Sequence, residues 1–215
     1  MKELLKKLVP KFILKWHQEK FQRELVKNWY AKSSGKAPPH IIKQLHIKNL
    51  KTKFNTNILV ETGTYLGAMV KAQADTFKKI YTIEVSEEIY IKTKKSLSNL
   101  THVEFMLGDS GEVLKKLASQ ISETALFWLD GHYSFGITSK GVLNTPIYKE
   151  LDYIFGTNFD HVILIDDAMD FTGNEDYPTI EELQNYVKTK KENYVFNVKD
   201  NMIFVLPFEA TINID

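Results

Sequence analysis

Ile58-Leu59-Val60-Glu61-Thr62-Gly63-Thr64-Tyr65-Leu66-Gly67, followed by Lys79-Ile80-Tyr81-Thr82-Ile83-Glu84, decides the fold. A short apolar run ends in an acid and a hydroxyl, passes through a glycine turn, enters a helical stretch (Ala68 to Phe77) and meets a second short apolar run. The unit then recurs. HVEFML at 102–107, ALFWLD at 125–130 and HVILID at 161–166 alternate with helical stretches at Glu87 to Leu97, Gly111 to Gln120 and Pro146 to Phe155. Alternation of this kind predicts βαβ units and a parallel sheet covered by helices on both faces. After a further helix at Thr179 to Lys191 the pattern breaks. Tyr194 to Val198 and Met202 to Leu206 are separated only by Lys199-Asp200-Asn201, and a connection that short fits only an antiparallel hairpin. The expectation is an α/β domain over 58–215 with a seven-stranded mixed sheet.

Upstream, the pattern is helical. Leu4, Leu5, Leu8, Phe12 and Trp16, then Phe21, Leu25 and Trp29, recur three to five positions apart with lysines between them, an amphipathic pattern interrupted near Pro10. Ser33, Ser34, Gly35, Pro38 and Pro39 form a run of breakers. The chain therefore divides into a basic helical arm (1–34), a linker with a leading helix over Ile41 to Phe54 (35–57), and the α/β domain. Met1 to Thr56 carries fourteen Lys or Arg against three Glu, a charge of +11. Since the whole chain is +1, the remainder carries −10. A basic arm on an acidic domain suits an anionic partner such as a membrane surface, or else a solvated helix packed on its own domain.

Composition removes several classes of function. With no cysteine, disulfides, thiolate metal sites and cysteine nucleophiles are excluded, and any metal must be held by oxygen or histidine. No stretch approaches the roughly 20 apolar residues of a membrane span, and the first residues lack the apolar core of a signal peptide. A cytoplasmic location is expected, peripheral to the inner face of the membrane if the arm meets a bilayer.

In open α/β sheets the ligand lies beyond the carboxyl ends of the strands, where this sequence places acids, glycines and hydroxyls. Glu61-Thr62-Gly63-Thr64-Tyr65-Leu66-Gly67 is GxxxG rather than the GxGxxG that admits a pyrophosphate, and an acid ahead of it suits a ligand with an amino-acid end and no phosphates. Glu84, about twenty residues on, is placed to accept both hydroxyls of a ribose. In Gly108-Asp109-Ser110, Asp109 can accept from an adenine amino group and Ser110 can cap the next helix, while capping by either residue is an equally good account.

VETGTYLG, TIE, LGDS, FWLDGHYS and ILIDDA resemble the successive motifs of class I S-adenosylmethionine-dependent methyltransferases over about 58–206. WLDGHYS and LIDDA, with TPI and a following YP, are further similar to bacterial methyltransferases related to the macrocin O-methyltransferase group, many of which act on sugar hydroxyls. The resemblance implies a Rossmann-like fold and S-adenosylmethionine contacts from Glu61, Gly63, Gly67, Glu84 and Asp109. Thr62, Thr64, Tyr65, Gly108, Ser110 and Asp130 lie within the same motifs. It also implies a divalent metal, Mg²⁺ first, on Asp130, Asp166 and Asp167.

Chemistry supports the metal independently. Three carboxylates meet at one sheet end with no lysine or arginine adjacent in sequence, and clustered carboxylates take up protons unless a cation sits among them. All-oxygen ligation suits a hard ion. His132, two residues past Asp130 in a glycine-containing loop, is a candidate general base, a metal ligand or a hydrogen-bonded loop residue, and Asp130 is the rival base. Tyr133, Ser134 and Thr138 are candidates for the acceptor pocket, and FTGNEDYP at 171–178 for a lid or an ordinary crossover.

The expected activity is methyl transfer from S-adenosylmethionine to a sugar or glycoconjugate hydroxyl, or alternatively to a catechol-like or other small molecule. A nicotinamide oxidoreductase is disfavoured by the missing GxGxxG, and a non-catalytic S-adenosylmethionine-binding protein by the intact acids. Nucleic acid is an unfavourable partner for an acidic catalytic domain that has no NPPY-like tetrapeptide. The arm is expected to contact a membrane or a second copy of the chain in a homo-oligomer.

Overall fold

The computed structural model describes residues 11–32, 37–131 and 145–207. β1 (Ile58–Thr62), β2 (Lys79–Glu84), β3 (Val103–Leu107), β4 (Leu126–Leu129), β5 (Val162–Ile165), β6 (Tyr194–Lys199) and β7 (Met202–Pro207) form one sheet. Its strand order is β3-β2-β1-β4-β5-β7-β6. β1 to β5 are parallel, and β7 runs antiparallel to both β5 and β6. The Rossmann-like mixed sheet expected from the sequence is thus the fold observed. Because the chain begins at the centre, moves out to β3 and returns to β4, the order reverses between β1 and β4. That reversal opens a crevice at the carboxyl ends of those two strands.

Strand residues alternate between two cores. Val60, Phe127, Leu129, Ile163, Ile165 and Val205 face one side with Leu114, Leu151, Ile154, Leu183 and Val187. These last come from α5 (Ser110–Leu117), α6 (Ile147–Phe155) and α7 (Ile180–Lys190). Leu59, Leu126, Trp128, Leu164 and Phe204 face the other side with Ile42, Ile47 and Leu50 of α2 (His40–Phe54) and Met69 of α3 (Ala68–Gln73). The period of two in the strands makes this double burial possible, and Trp128 is core as its apolar neighbours suggest. α2 is therefore a structural layer of the sheet, with Ile42 and Ile47 fully buried. It ends at Asn55 in the left-handed conformation.

α1 (Lys11–Lys32) lies outside α2. Gln22, Leu25, Val26 and Trp29 are half-buried at helical spacing, while Trp16, Phe21 and Tyr30 stand exposed. Helix boundaries shift by a residue or so from those read in the sequence, except in α3 and at the end of α5, where Ala118–Gln120 of the expected helix form a 3-10 turn. The expected helix to Phe77 stops at Gln73 and the chain turns through 74–76. α4 (Glu87–Ser96) begins at Ser86, whose hydroxyl accepts from the Ile89 N–H. No helix among the described residues is long and apolar enough to cross a membrane.

The hairpin turn lies at the functional end of the sheet, because β7 starts beside the end of β5, with Ile165 opposite Ile203. Asp200 (φ 51°) and Asn201 (φ 59°) are both left-handed, the conformation that matches a two-residue turn to strand twist.

Candidate active site

The glycine loop after β1 passes directly over the end of β4. A Cβ at Gly63 would lie 2.2 Å from the Asp130 carbonyl oxygen, and φ there is +84°. Glycine is required on both counts. Gly67 is needed for packing, since its Cβ would meet the side chains of Leu97 and Thr93 at 2.7 and 2.9 Å. Glu84 holds the loop from below: one carboxylate oxygen accepts from the Tyr65 N–H at 2.8 Å and the other from the Ser86 N–H at 2.9 Å. Tyr65 is left-handed (φ 47°), and its carbonyl accepts from the Thr93 hydroxyl at 2.7 Å.

Glu61 lies beneath this loop, only 2% exposed. Thr64 and Thr82 share a hydrogen bond of 2.6 Å, and the Thr82 hydroxyl donates to Glu61 at 2.5 Å. Burial pushes the Glu61 carboxyl up to about 8; the Thr82 bond works against that rise and Glu84 adds to it. A buried acid held neutral at the mouth of a glycine loop is poised to ionise when a cationic group arrives.

At the end of β3, Gly108 has φ +144° and Asp109 takes the cap of α5, accepting from the Gly111 N–H at 2.8 Å. Of the two capping residues that the sequence allowed, Asp109 takes the cap, and Ser110 is the first helical residue, buried. Sequence reading passed over Glu150 of α6. It is buried close to Ser110 and Thr62, and burial raises its carboxyl to about 7; the two hydroxyls lower it and Asp109 raises it. The approach is electrostatic rather than well aligned, since Glu150 Oε1 and Thr62 Oγ1 have no partner at hydrogen-bond geometry among the described residues.

Beside the glycine loop, Asp130 ends β4 and Asp166-Asp167 end β5. One oxygen from each lies within 4.8 Å of the other two, so the three acids that the sequence grouped do converge. Asp167 is left-handed (φ 50°), and its N–H is accepted by Asp166 Oδ1 at 2.9 Å. The Asp130 carboxyl is pushed well up by burial, then by Asp166; Lys43 opposes the rise, and Asp167 and Glu61 add to it. Asp166 is raised for the same reasons, burial first, with Lys43 again opposing.

Lys43 is the correction. The acids have no basic neighbour in sequence, yet α2 brings the Lys43 ammonium from 123 positions away onto Asp166 Oδ2. It also lies 3.7 Å from Asp167 Oδ1. Charge balance alone therefore no longer demands a metal ion. The donor set itself still fits one, because three carboxylates with no nitrogen or sulfur donor suit a hard divalent cation.

The hairpin turn braces this acidic loop. Asn201 Nδ2 donates to Asp167 Oδ1 at 3.2 Å, Asn201 Oδ1 accepts from the Met169 N–H at 2.8 Å, and the Asn201 carbonyl accepts from the Ala168 N–H at 2.9 Å. Next to it, Asp200 accepts from Trp29 Nε1 at 3.0 Å and from the Tyr30 hydroxyl at 3.4 Å, both on α1. It also pairs with His46 Nε2 of α2 at 2.8 Å. Burial lowers the His46 pKa despite the opposing pull of Asp200, and Asp200 itself is held low because these bonds outweigh its burial. The pair is a neutral imidazole donating to an ionised carboxylate. His46 had no assigned role in the sequence, and no short-range spacing signals this contact.

In the 171–178 segment, Phe171 is buried and stacks edge-on with Tyr177 at 5.5 Å, and Thr172 bridges Thr179. The Tyr177 phenol is raised by burial and then by Asp170, Asp167, Asp130 and Glu175. The candidate base His132 and the pocket candidates Tyr133, Ser134 and Thr138 lie outside the described residues.

No protein-family model matches the sequence, and no curated protein matches it. Solved structures do match the fold. A candidate caffeoyl-CoA O-methyltransferase from Staphylococcus aureus superposes with a TM-score of 0.57 at 15% identity, covering 92% of this chain and 98% of that one. The O-methyltransferase from Bacillus cereus in complex with SAH gives 0.55 at 14% identity, covering 95% and 96%. The SAH-bound methyltransferase PaMTH1 from Podospora anserina gives 0.54 at 15% identity, covering 93% and 97%. The chain has the fold of these methyltransferases over nearly its whole length.

Proposed function

We propose that this chain is an S-adenosylmethionine-dependent O-methyltransferase acting on a hydroxyl of a sugar or glycoconjugate, with a divalent cation, Mg²⁺ first, held by Asp130, Asp166 and Asp167. The observation that carries the reading is adjacency: the glycine loop over Glu61 and Glu84 touches the backbone of Asp130, one of the three converging acids. A cofactor seated in the loop is thereby placed next to the group that would receive the acceptor. The O-methyltransferase neighbours support the reaction class, and the WLDGHYS and LIDDA motifs support the sugar acceptor.

In this reading Glu61 receives the ammonium of the methionine end, Glu84 takes the ribose hydroxyls with its remaining lone pairs, and Asp109 and Glu150 border the adenine end. Gly63 lets the loop close onto the end of β4, which brings the cofactor loop against Asp130. S-adenosylmethionine supplies a methyl on a sulfonium, and the acceptor oxygen displaces the thioether in line. The O–H bond breaks, the O–CH₃ bond forms and one proton leaves. Asp130, at the end of β4 beside the glycine loop, is placed to take that proton; His132 is the alternative. A divalent cation on the three acids would lower the pKa of the acceptor hydroxyl.

The name of the Staphylococcus aureus neighbour favours a second acceptor class, small-molecule hydroxyls of the catechol type. One assay separates the two. Protein, S-adenosylmethionine and Mg²⁺ are incubated with free sugars, nucleotide-linked sugars and catechols, and SAH formation is followed. SAH with a sugar and not with catechols supports the proposal, SAH with catechols alone transfers it to the second reading, and no SAH with any acceptor counts against an O-methyltransferase of either kind.

A further inference from the structure

α2 is seated by fully buried Ile42 and Ile47, so Lys43 between them is held in place by the core rather than drifting on the surface. Its side chain is 15% exposed, and it bonds Asp166 while lying 3.7 Å from Asp167. The acids it reaches are the same ones whose oxygens cluster within 4.8 Å. An ammonium there lies against two of the three acids that a divalent ion would use, and two cations within a few ångströms in a half-buried site repel strongly.

We propose that Lys43 is a tethered counter-cation that competes with a divalent ion for Asp130, Asp166 and Asp167, so that loading the metal requires the Lys43 side chain to leave the cluster. The inference rests on the metal part of the proposed function. Lys43 meets the requirements of a stand-in ion. Its ammonium bonds Asp166 and lies 3.7 Å from Asp167, placing a positive charge where a bound ion's charge would stand. It brings one positive charge to three carboxyl groups, half of what a divalent ion would supply. The competition also ties metal loading to the N-terminal helices. α2 carries both Lys43 and His46; His46 grips Asp200 in the hairpin turn, and the neighbouring Asn201 holds Asp167. Removing Lys43 from the acids therefore loosens one of two links between α2 and the acidic loop and leaves the other intact.

The test is a calorimetric titration of Mn²⁺ into the metal-stripped full chain, comparing the native protein with Lys43→Gln, Lys43→Met, Lys43→Arg and Asp166→Asn. The native protein should bind Mn²⁺ weakly. Both neutral variants should bind it at least ~10-fold more tightly, since a full like charge leaves the site. K43M keeps the apolar stem and serves if K43Q does not fold. K43R should remain weak, and D166N should bind less than the native protein. Without metal, the neutral variants should melt below the native protein, and Mn²⁺ should restore them by a larger shift than it gives the native chain. Equal or weaker Mn²⁺ binding in K43Q and K43M overturns the competition while leaving a metal site standing. No Mn²⁺ binding in any variant at millimolar concentration overturns both this inference and the metal part of the proposed function. S-adenosylmethionine binding in the same samples reports separately on the cofactor reading.

Discussion

The two halves of the crevice are built differently. On the β1–β2–β3 side the contacts span short stretches of chain: Glu84 reaches back 19 residues to the Tyr65 N–H, and Thr82 reaches 21 to Glu61. On the β4–β5–β7 side, Lys43 meets Asp166 across 123 residues, His46 meets Asp200 across 154, and Trp29 meets Asp200 across 171. The first half is a property of a supersecondary unit, while the second exists only once the N-terminal helices and the C-terminal hairpin have docked. Disturbing the first should therefore damage the loop itself, and disturbing the second should loosen the helices that frame it.

The largest effect is expected at Gly63. Gly63→Ala must place a Cβ against the Asp130 carbonyl in a left-handed conformation, which costs about 3 kcal/mol in urea denaturation. Calorimetric S-adenosylmethionine binding should fall beyond detection. On the other side, Asp200→Ala strands Trp29 Nε1 and His46 Nε2 and should cost about 2 kcal/mol. Its signature is faster hydrogen exchange along α1 with little change in the glycine loop. Equal exchange throughout would show that the two halves open as one unit.

A smaller effect concerns protons. Glu61 is raised from 4.5 to about 8 and Glu150 from 4.5 to about 7, chiefly by burial. Between those limits the folded state holds more protons than the unfolded chain, so these groups stabilise fully below about pH 4.5, and that contribution is lost as pH rises through 7 to 8. Glu150→Gln should flatten the decline of stability over this window. If Glu61 meets the cofactor ammonium, binding at pH 7 should release a proton, seen as a buffer-dependent binding enthalpy that disappears in Glu61→Gln, with affinity lower by roughly tenfold. At the bottom of the scale, Phe21→Ser on the 61% exposed outer face of α1 should change stability by less than about 0.5 kcal/mol.

The same division explains what the sequence could reveal. Strands, hairpin and glycine loop each leave a local signature: apolar runs ending in acids, a two-residue polar turn, and glycines where a side chain cannot fit. Asp130, Asp166 and Asp167 could be grouped because the parallel topology brings strand ends together. Lys43, His46, Asp200 and Asn201 left no such signature, since a lysine among many lysines in a basic segment does not reveal which one packs inward. Only the burial of Ile42 and Ile47 against the sheet selects it. Asp109 rather than Ser110 caps α5 for a similar reason, as either side chain satisfies the sequence pattern and the turn at Gly108 decides between them.

In the proposed reading the glycine-loop half binds S-adenosylmethionine whether or not the acidic half holds a metal. S-adenosylmethionine is titrated calorimetrically into the metal-stripped full chain, then again with Mg²⁺ and with Asp166→Asn. Saturable binding on the order of micromolar is expected in all three. No binding under any condition would overturn the cofactor reading.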